Sequence, residues 1–197
     1  GFSTLAGAPR SPRDLGDEVH DGERLGFGSV FISERFNIKE AATLSGDVGA
    51  ITTDLRIATA ATNHNTRHPL VLGSYATTMH RLTGGRFCLG FGRGIDAMFT
   101  AYGIPKITTA QMEDIAGVLR RLFKGEVIFG HQGPAGSWPV LALDQTFDED
   151  IPILLDHFLN RNNARFGTNL RGIEPEARRL LLAYAWPGNV RELENTI

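Results

Sequence analysis

Residues 62–69 read Thr-Asn-His-Asn-Thr-Arg-His-Pro and follow directly on the apolar run 55–61. Two imidazoles, two carboxamides and a guanidinium behind a strand-sized run can move a proton, hold an anion or bind a metal. His64 and His68 stand four apart, the spacing of two zinc ligands on one helix face. Pro69 marks a helix start after them, however, and no Glu lies between in the HExxH position, so no metal is expected. An imidazole titrates near neutrality, which makes His64 the candidate proton handler. The plain alternative is a polar loop that ends in a helix cap.

Two more polar stretches end apolar runs. Ser33-Glu34-Arg35-Phe36 supplies a carboxylate that can accept a proton, next to a permanent cation that cannot shuttle one. Gly90-Phe91-Gly92-Arg93-Gly94-Ile95-Asp96 is glycine-rich but lacks the GxGxxG spacing of a dinucleotide loop. Glycines there relieve crowding near a ligand or a turn.

The elements that must position these groups alternate. Strands are expected at 28–33, 55–62 and 86–92, and helices at 11–26, 37–52, 68–85 and 108–126. Ser11 is the expected N-cap of the first helix with Pro12 in its first turn, Gly84 and Gly85 close the third, and Thr108 caps the last. Strands and helices in this order predict parallel βαβ units, and continuous apolar strands predict cover on both faces. In a parallel barrel, reactive groups sit at the C-terminal strand ends, where all three polar stretches fall.

Beyond residue 150 only helices are expected. Ile151, Leu154, Leu155, Phe158 and Leu159 form one helical face, 174–185 is a second helix, and a third begins at Gly188. The chain starts at Gly1 without Met and stops inside that third helix, so both natural ends are expected to lie elsewhere.

Composition sets the outer limits. A formal charge of −2 with interspersed signs gives no basic stripe, so neither nucleic acid nor an anionic membrane surface is an expected partner. No run is long enough to span a bilayer. The single cysteine, Cys88, lies within an apolar run and reads as a buried thiol in a reducing cytoplasm.

Residues 10–152 resemble the luciferase-like monooxygenase superfamily, in its deazaflavin-using branch. The likeness is carried by strand 55–62, the "RHP" helix entry, the helix ending "RLTGGR", and the "GxGxG" after the next strand. It implies an α/β fold, a partial (β/α)8 barrel of about four βα units over 1–149, ahead of a small all-α segment. It also implies hydride transfer on a small-molecule substrate with coenzyme F420 or FMN. Relatives with an alcohol substrate have Asp-His after strand two, where this chain has Glu34-Arg35, and an acid directly after the strand-four glycines, where this chain has Ile95. The resemblance places a non-prolyl cis peptide behind the ring near Ala60-Ala61. Thr62, Asn63 and Gly92 become cofactor-facing, and His64 and Glu34 the catalytic proton handlers.

Residues 150–197 resemble something else: the helical lid of the AAA+ ATPases that activate sigma-54 RNA polymerase, with "WPGNVREL" as signature. That likeness implies a truncated three-helix segment in which Arg191 is the sensor arginine. ATP is not an expected ligand, because no GxxxxGKS or GxxxxGKT loop is present. The stretch 148–154, "DEDIPIL", suits both families, and the chain reads as a chimera joined there. Three functions follow as alternatives: a deazaflavin or flavin oxidoreductase fragment, a non-catalytic scaffold, or a fragment of a sigma-54 activator. Half a barrel exposes apolar inner side chains, so a homodimer, or helices folded across the open side, is expected to cover them.

Overall fold

A computed structural model describes residues 1–7, 9–144 and 151, with 174, 176 and 177 in the last part. Its sheet has four strands in the order β1 (Phe2–Ser3), β2 (Ser29–Ile32), β3 (Arg56–Thr59) and β4 (Phe87–Cys88). Every pairing is parallel, with Val30 opposite Ile57 and Ala58 opposite Cys88. The helices α1 (Asp14–Arg24), α2 (Ala41–Ile51) and α3 (Pro69–Leu82) connect successive strands, and α4 (Asp96–Ala101) and α5 (Thr109–Phe123) follow β4. This is the expected α/β fold with four βα units.

The apolar spacing explains the packing. Met112, Ile115, Val118, Leu119, Leu122 and Phe123 recur every three or four residues along α5, and all are buried. They join a core in which Leu15, Val19, Val30, Ile32, Val48, Ile57, Leu72 and Phe87 have no solvent exposure, each stabilising the fold by roughly 1.5–3 kcal/mol. Ile151 is buried in the same core. Thr108 and Gln111 form a reciprocal capping box at the head of α5.

Arg86 accounts for the end of "RLTGGR". Its guanidinium donates to the carbonyls of Leu55 at 2.7 Å, Thr52 at 2.8 Å and Thr83 at 3.0 Å. It therefore ties α2, α3 and β3 together where β4 begins, at the end of the sheet remote from the polar loops.

The structure corrects several expectations. α1 begins at Asp14 rather than at Pro12, because the Ser11 hydroxyl accepts the amide of Arg13 and makes a separate turn, while Arg13 provides no side-chain cap. Strand 55–62 is regular only over Arg56–Thr59, and its ladder resumes at a single bridge between Thr62 and Phe91. β1 is a strand of two residues, too short to leave a periodic signal. Residues expected to be irregular form an antiparallel hairpin, β5 (Ile128–Gly133) and β6 (Gly136–Leu141). Helices expected beyond residue 150 fall outside the described residues. No helix among the described residues is long and apolar enough to cross a membrane.

Candidate active site

The C-terminal ends of β2, β3 and β4 are joined into one surface by backbone hydrogen bonds. Ala60 donates to Ile32 at 2.7 Å, Glu34 to Ala61 at 3.3 Å, Thr62 to Gly90 at 2.9 Å and Gly92 to Thr62 at 2.9 Å. Thr59, fully buried, adds a side-chain staple: its hydroxyl donates to the Gly90 carbonyl at 2.7 Å and accepts the Gly90 amide at 2.8 Å. The Ala60–Ala61 peptide is cis, at the position the resemblance implied. Gly92 faces Ala61 so closely that a Cβ on Gly92 would lie 3.3 Å from that of Ala61. All seven residues singled out from the sequence are thus on or beside this surface, although they come from three strand ends.

Their side chains have different tasks. Glu34 accepts both guanidinium nitrogens of Arg67, at 2.6 and 2.9 Å, and the Thr62 hydroxyl as well. Arg67 also donates to Thr62 at 2.9 Å and to Glu40, whose carboxylate caps α2 through the amides of Ala42 and Thr43. One guanidinium therefore fastens the ends of β2 and β3 to the head of α2. Glu34 and Glu40 hold Arg67 firmly protonated, and burial works weakly against them. Asn63 is buried and accepts the amide of Thr66 at 3.2 Å, which shapes the loop.

His64 differs. Only 7% exposed, it meets Phe91 edge-on with ring centres 6.5 Å apart, and its Nε2 has no hydrogen-bond partner. Burial pushes its pKa below the ordinary imidazole value, and the charge of Asp114 opposes that shift. His68, four residues on, is directed elsewhere: its Nδ1 accepts the Leu70 amide as the cap of α3. Among the described residues no group of three or more His, Cys, Asp or Glu could hold a metal ion.

Sequence reasoning gave no role to Arg67, Arg93 or Asp114. Arg93 is half-buried between Gly92 and Gly94, the latter with a φ of 68°, and makes no ion pair or hydrogen bond among the described residues. A lone guanidinium set between glycines at a strand end was the signal for it. On the other side, Arg35 donates to the Gly7 carbonyl at 3.2 Å, and the buried ammonium of Lys39 donates to the Leu5 carbonyl. These bonds hold the loop after β1.

Comparison with known proteins agrees with this geometry. Residues 2–154 match the family model for luciferase-like monooxygenases, and residues 147–197 match that for the AAA+ ATPase lid domain. The two matches overlap at 147–154, around the stretch that suits both families. Among solved structures, the coenzyme F420-dependent tetrahydromethanopterin reductase of Methanopyrus kandleri is 20% identical, with a TM-score of 0.61 over 80% of this chain and 47% of its own. The FMN complex of the oxygenating constituent of 3,6-diketocamphane monooxygenase, from Pseudomonas putida, is 19% identical, with a TM-score of 0.61 over 78% and 46%. Monooxygenase RslO1 of Streptomyces bottropensis is 17% identical, with a TM-score of 0.65 over 100% and 65%. At these identities the likeness establishes the fold.

The curated relatives match the other end of the chain. The transcriptional regulatory protein ZraR of Salmonella typhi is 55% identical, and XylR of Pseudomonas putida 47%, each over 49 residues. That is 25% of this chain but only 11% and 9% of those regulators. The family model that covers most of the chain, together with the four-stranded parallel sheet it predicts, decides the assignment: this chain belongs to the luciferase-like monooxygenase family.

Proposed function

We propose that this half-barrel is the ring-binding face of a flavin-type oxidoreductase acting on a small molecule, with His64 as its proton carrier. The observation that carries the reading is the orphaned Nε2 of His64. A buried polar atom without a partner costs about 1–3 kcal/mol, and a ligand that completes its hydrogen bond relieves that cost.

The neighbouring residues fit a flat ring with an anionic tail. Ala60, Ala61 and Gly92 present little side chain, so a ring can approach the backbone closely. Arg93 brings an uncompensated positive charge to the rim of the same surface. One fold neighbour is F420-dependent and another is in complex with FMN, so these two rings are the candidates. When bound, either would supply a centre that accepts or donates a hydride.

The chain's own work is to hold the ring and manage the accompanying proton. Burial favours the neutral imidazole of His64, which can accept a proton at Nε2 at neutral pH. Glu34 contributes by anchoring Arg67, with Thr62 between them, so that the three strand ends keep their spacing. The solved relatives are about twice as long as the part of them matched here, and the strand ends described leave ring contacts to be made by one side only. Weak binding follows.

Equilibrium titration with FMN and with F420, separately, tests the reading. Arg93→Met should weaken binding roughly 10- to 100-fold, the loss of one charge-assisted hydrogen bond. If neither ring binds, the non-catalytic scaffold replaces this function.

A further inference from the structure

We propose that Asp114 is a positioning residue for His64, and that the β5–β6 hairpin belongs to the site because it holds Asp114 in place. The carboxylate is fixed from two sides. His131 Nε2 donates to Oδ2 at 3.2 Å, and the amide of Ala135, in the hairpin turn, donates to the same oxygen at 2.9 Å. β5 can lie this close only because residue 133 is glycine: a Cβ there would stand 2.3 Å from Oδ2.

The same hairpin reaches the site loop from its other side. The imidazole of His131 stacks on Trp138 at 5.3 Å, and Trp138 meets His68, the cap of α3, edge-on at 6.2 Å. Loop 62–67, which carries His64, thus runs directly into a residue that the hairpin touches.

Packing alone does not account for this arrangement. Val118, Leu122, Ile128 and Leu141 already seat the hairpin on α5 through a buried apolar cluster. Placing a carboxylate with its side chain only 16% exposed beside an imidazole only 12% exposed adds a desolvation cost. What the carboxylate adds is a field, and His64 is within its reach. Phe91 lies between them: it meets His64 edge-on and packs against the cluster containing Met112, in the first turn of α5. The other charge on the loop, Arg67, is compensated by Glu34 and Glu40. The negative charge of Asp114 favours the protonated imidazole, opposing burial.

The catalytic consequence rests on His64 being the proton carrier; the electrostatic link does not. The test is a pH titration of the histidine Cε1–H resonances by NMR on the whole chain, without cofactor. Of the six histidines, His64 is identified by the signal missing in His64→Gln. Asp114→Asn should move its midpoint down by about 0.5 pH unit, a roughly threefold loss of proton affinity. His131→Gln and Gly133→Ala, which release or displace the carboxylate, should move it the same way by less. An unmoved His64 midpoint in folded Asp114→Asn overturns the proposal. If that variant does not fold, an unmoved midpoint in both of the others does so. A shifted midpoint in a chain that binds no ring sustains the link and removes the functional reading instead.

Discussion

Arg67 meets Glu34 through a two-point contact, Nη2 to Oε1 at 2.6 Å and Nη1 to Oε2 at 2.9 Å, with the Glu34 side chain only 2% exposed. Removing one partner strands the other charge in the interior. Glu34→Gln and Arg67→Met should each destabilise the fold by about 3 kcal/mol, read as a lower urea midpoint. The double variant should cost less than the sum of the two, because neither charge is then left unpaired. Additive losses would show that the pair does not act as one unit.

Acid should act in two stages. His64 has a folded pKa below its ordinary value of 6.5, so the unfolded chain binds the extra proton. The stability from neutral His64 is present above pH 6.5 and is lost as pH falls through the depressed folded value. Glu40 is held below its ordinary 4.5 by the Thr43 and Ala42 amides, against the opposing effect of burial, so its share is lost only at lower pH. His64→Gln should flatten the upper stage of a stability–pH curve and leave the lower one. A curve unchanged between pH 7 and the carboxylate range would contradict this.

Arg86 separates fold from function. It serves backbone carbonyls where β4 begins, opposite the proposed ring face, and each charge-assisted bond is worth roughly 1.5–3 kcal/mol. Arg86→Met should lower thermal stability by about 2–4 kcal/mol while leaving ring affinity in the folded protein unchanged. A parallel loss of affinity would mean the two ends of the sheet are coupled.

The open sheet bears on association. Among the described residues β1 and β4 each pair on one side only, and Phe129 and Val140, cross-strand partners, are 77% and 50% exposed. We expect a homodimer by light scattering. A monomer at all concentrations would leave the open side to be covered from within the chain.

What was legible in the sequence follows from range. α5 was readable because its capping box and apolar period lie within 16 residues, Thr108 to Phe123. α3 was readable from His68-Pro69 at its head and two positive-φ glycines, Gly84 and Gly85, beyond its end. The hairpin was missed although Gly133-Pro134-Ala135-Gly136 is a turn signal, because Phe129, His131, Trp138 and Val140 do not alternate cleanly between apolar and polar. At the site, His64 was found from its place after a strand. The carboxylate that opposes its burial lies 50 residues later on α5, and no local pattern links the two. Glu34 was read as a free base because its partner, Arg67, comes 33 residues on.

The central claim, that a flavin-type ring lies against Ala61 and Gly92 beside His64, is tested most directly at His64 itself. Its Cε1–H resonance can be followed while FMN or F420 is added to the whole chain. A saturable shift of that one signal, abolished by a bulky side chain in Gly92→Val, is the result predicted. A His64 signal unmoved up to about 1 mM of either ring, the limit for even weak binding, would contradict the account.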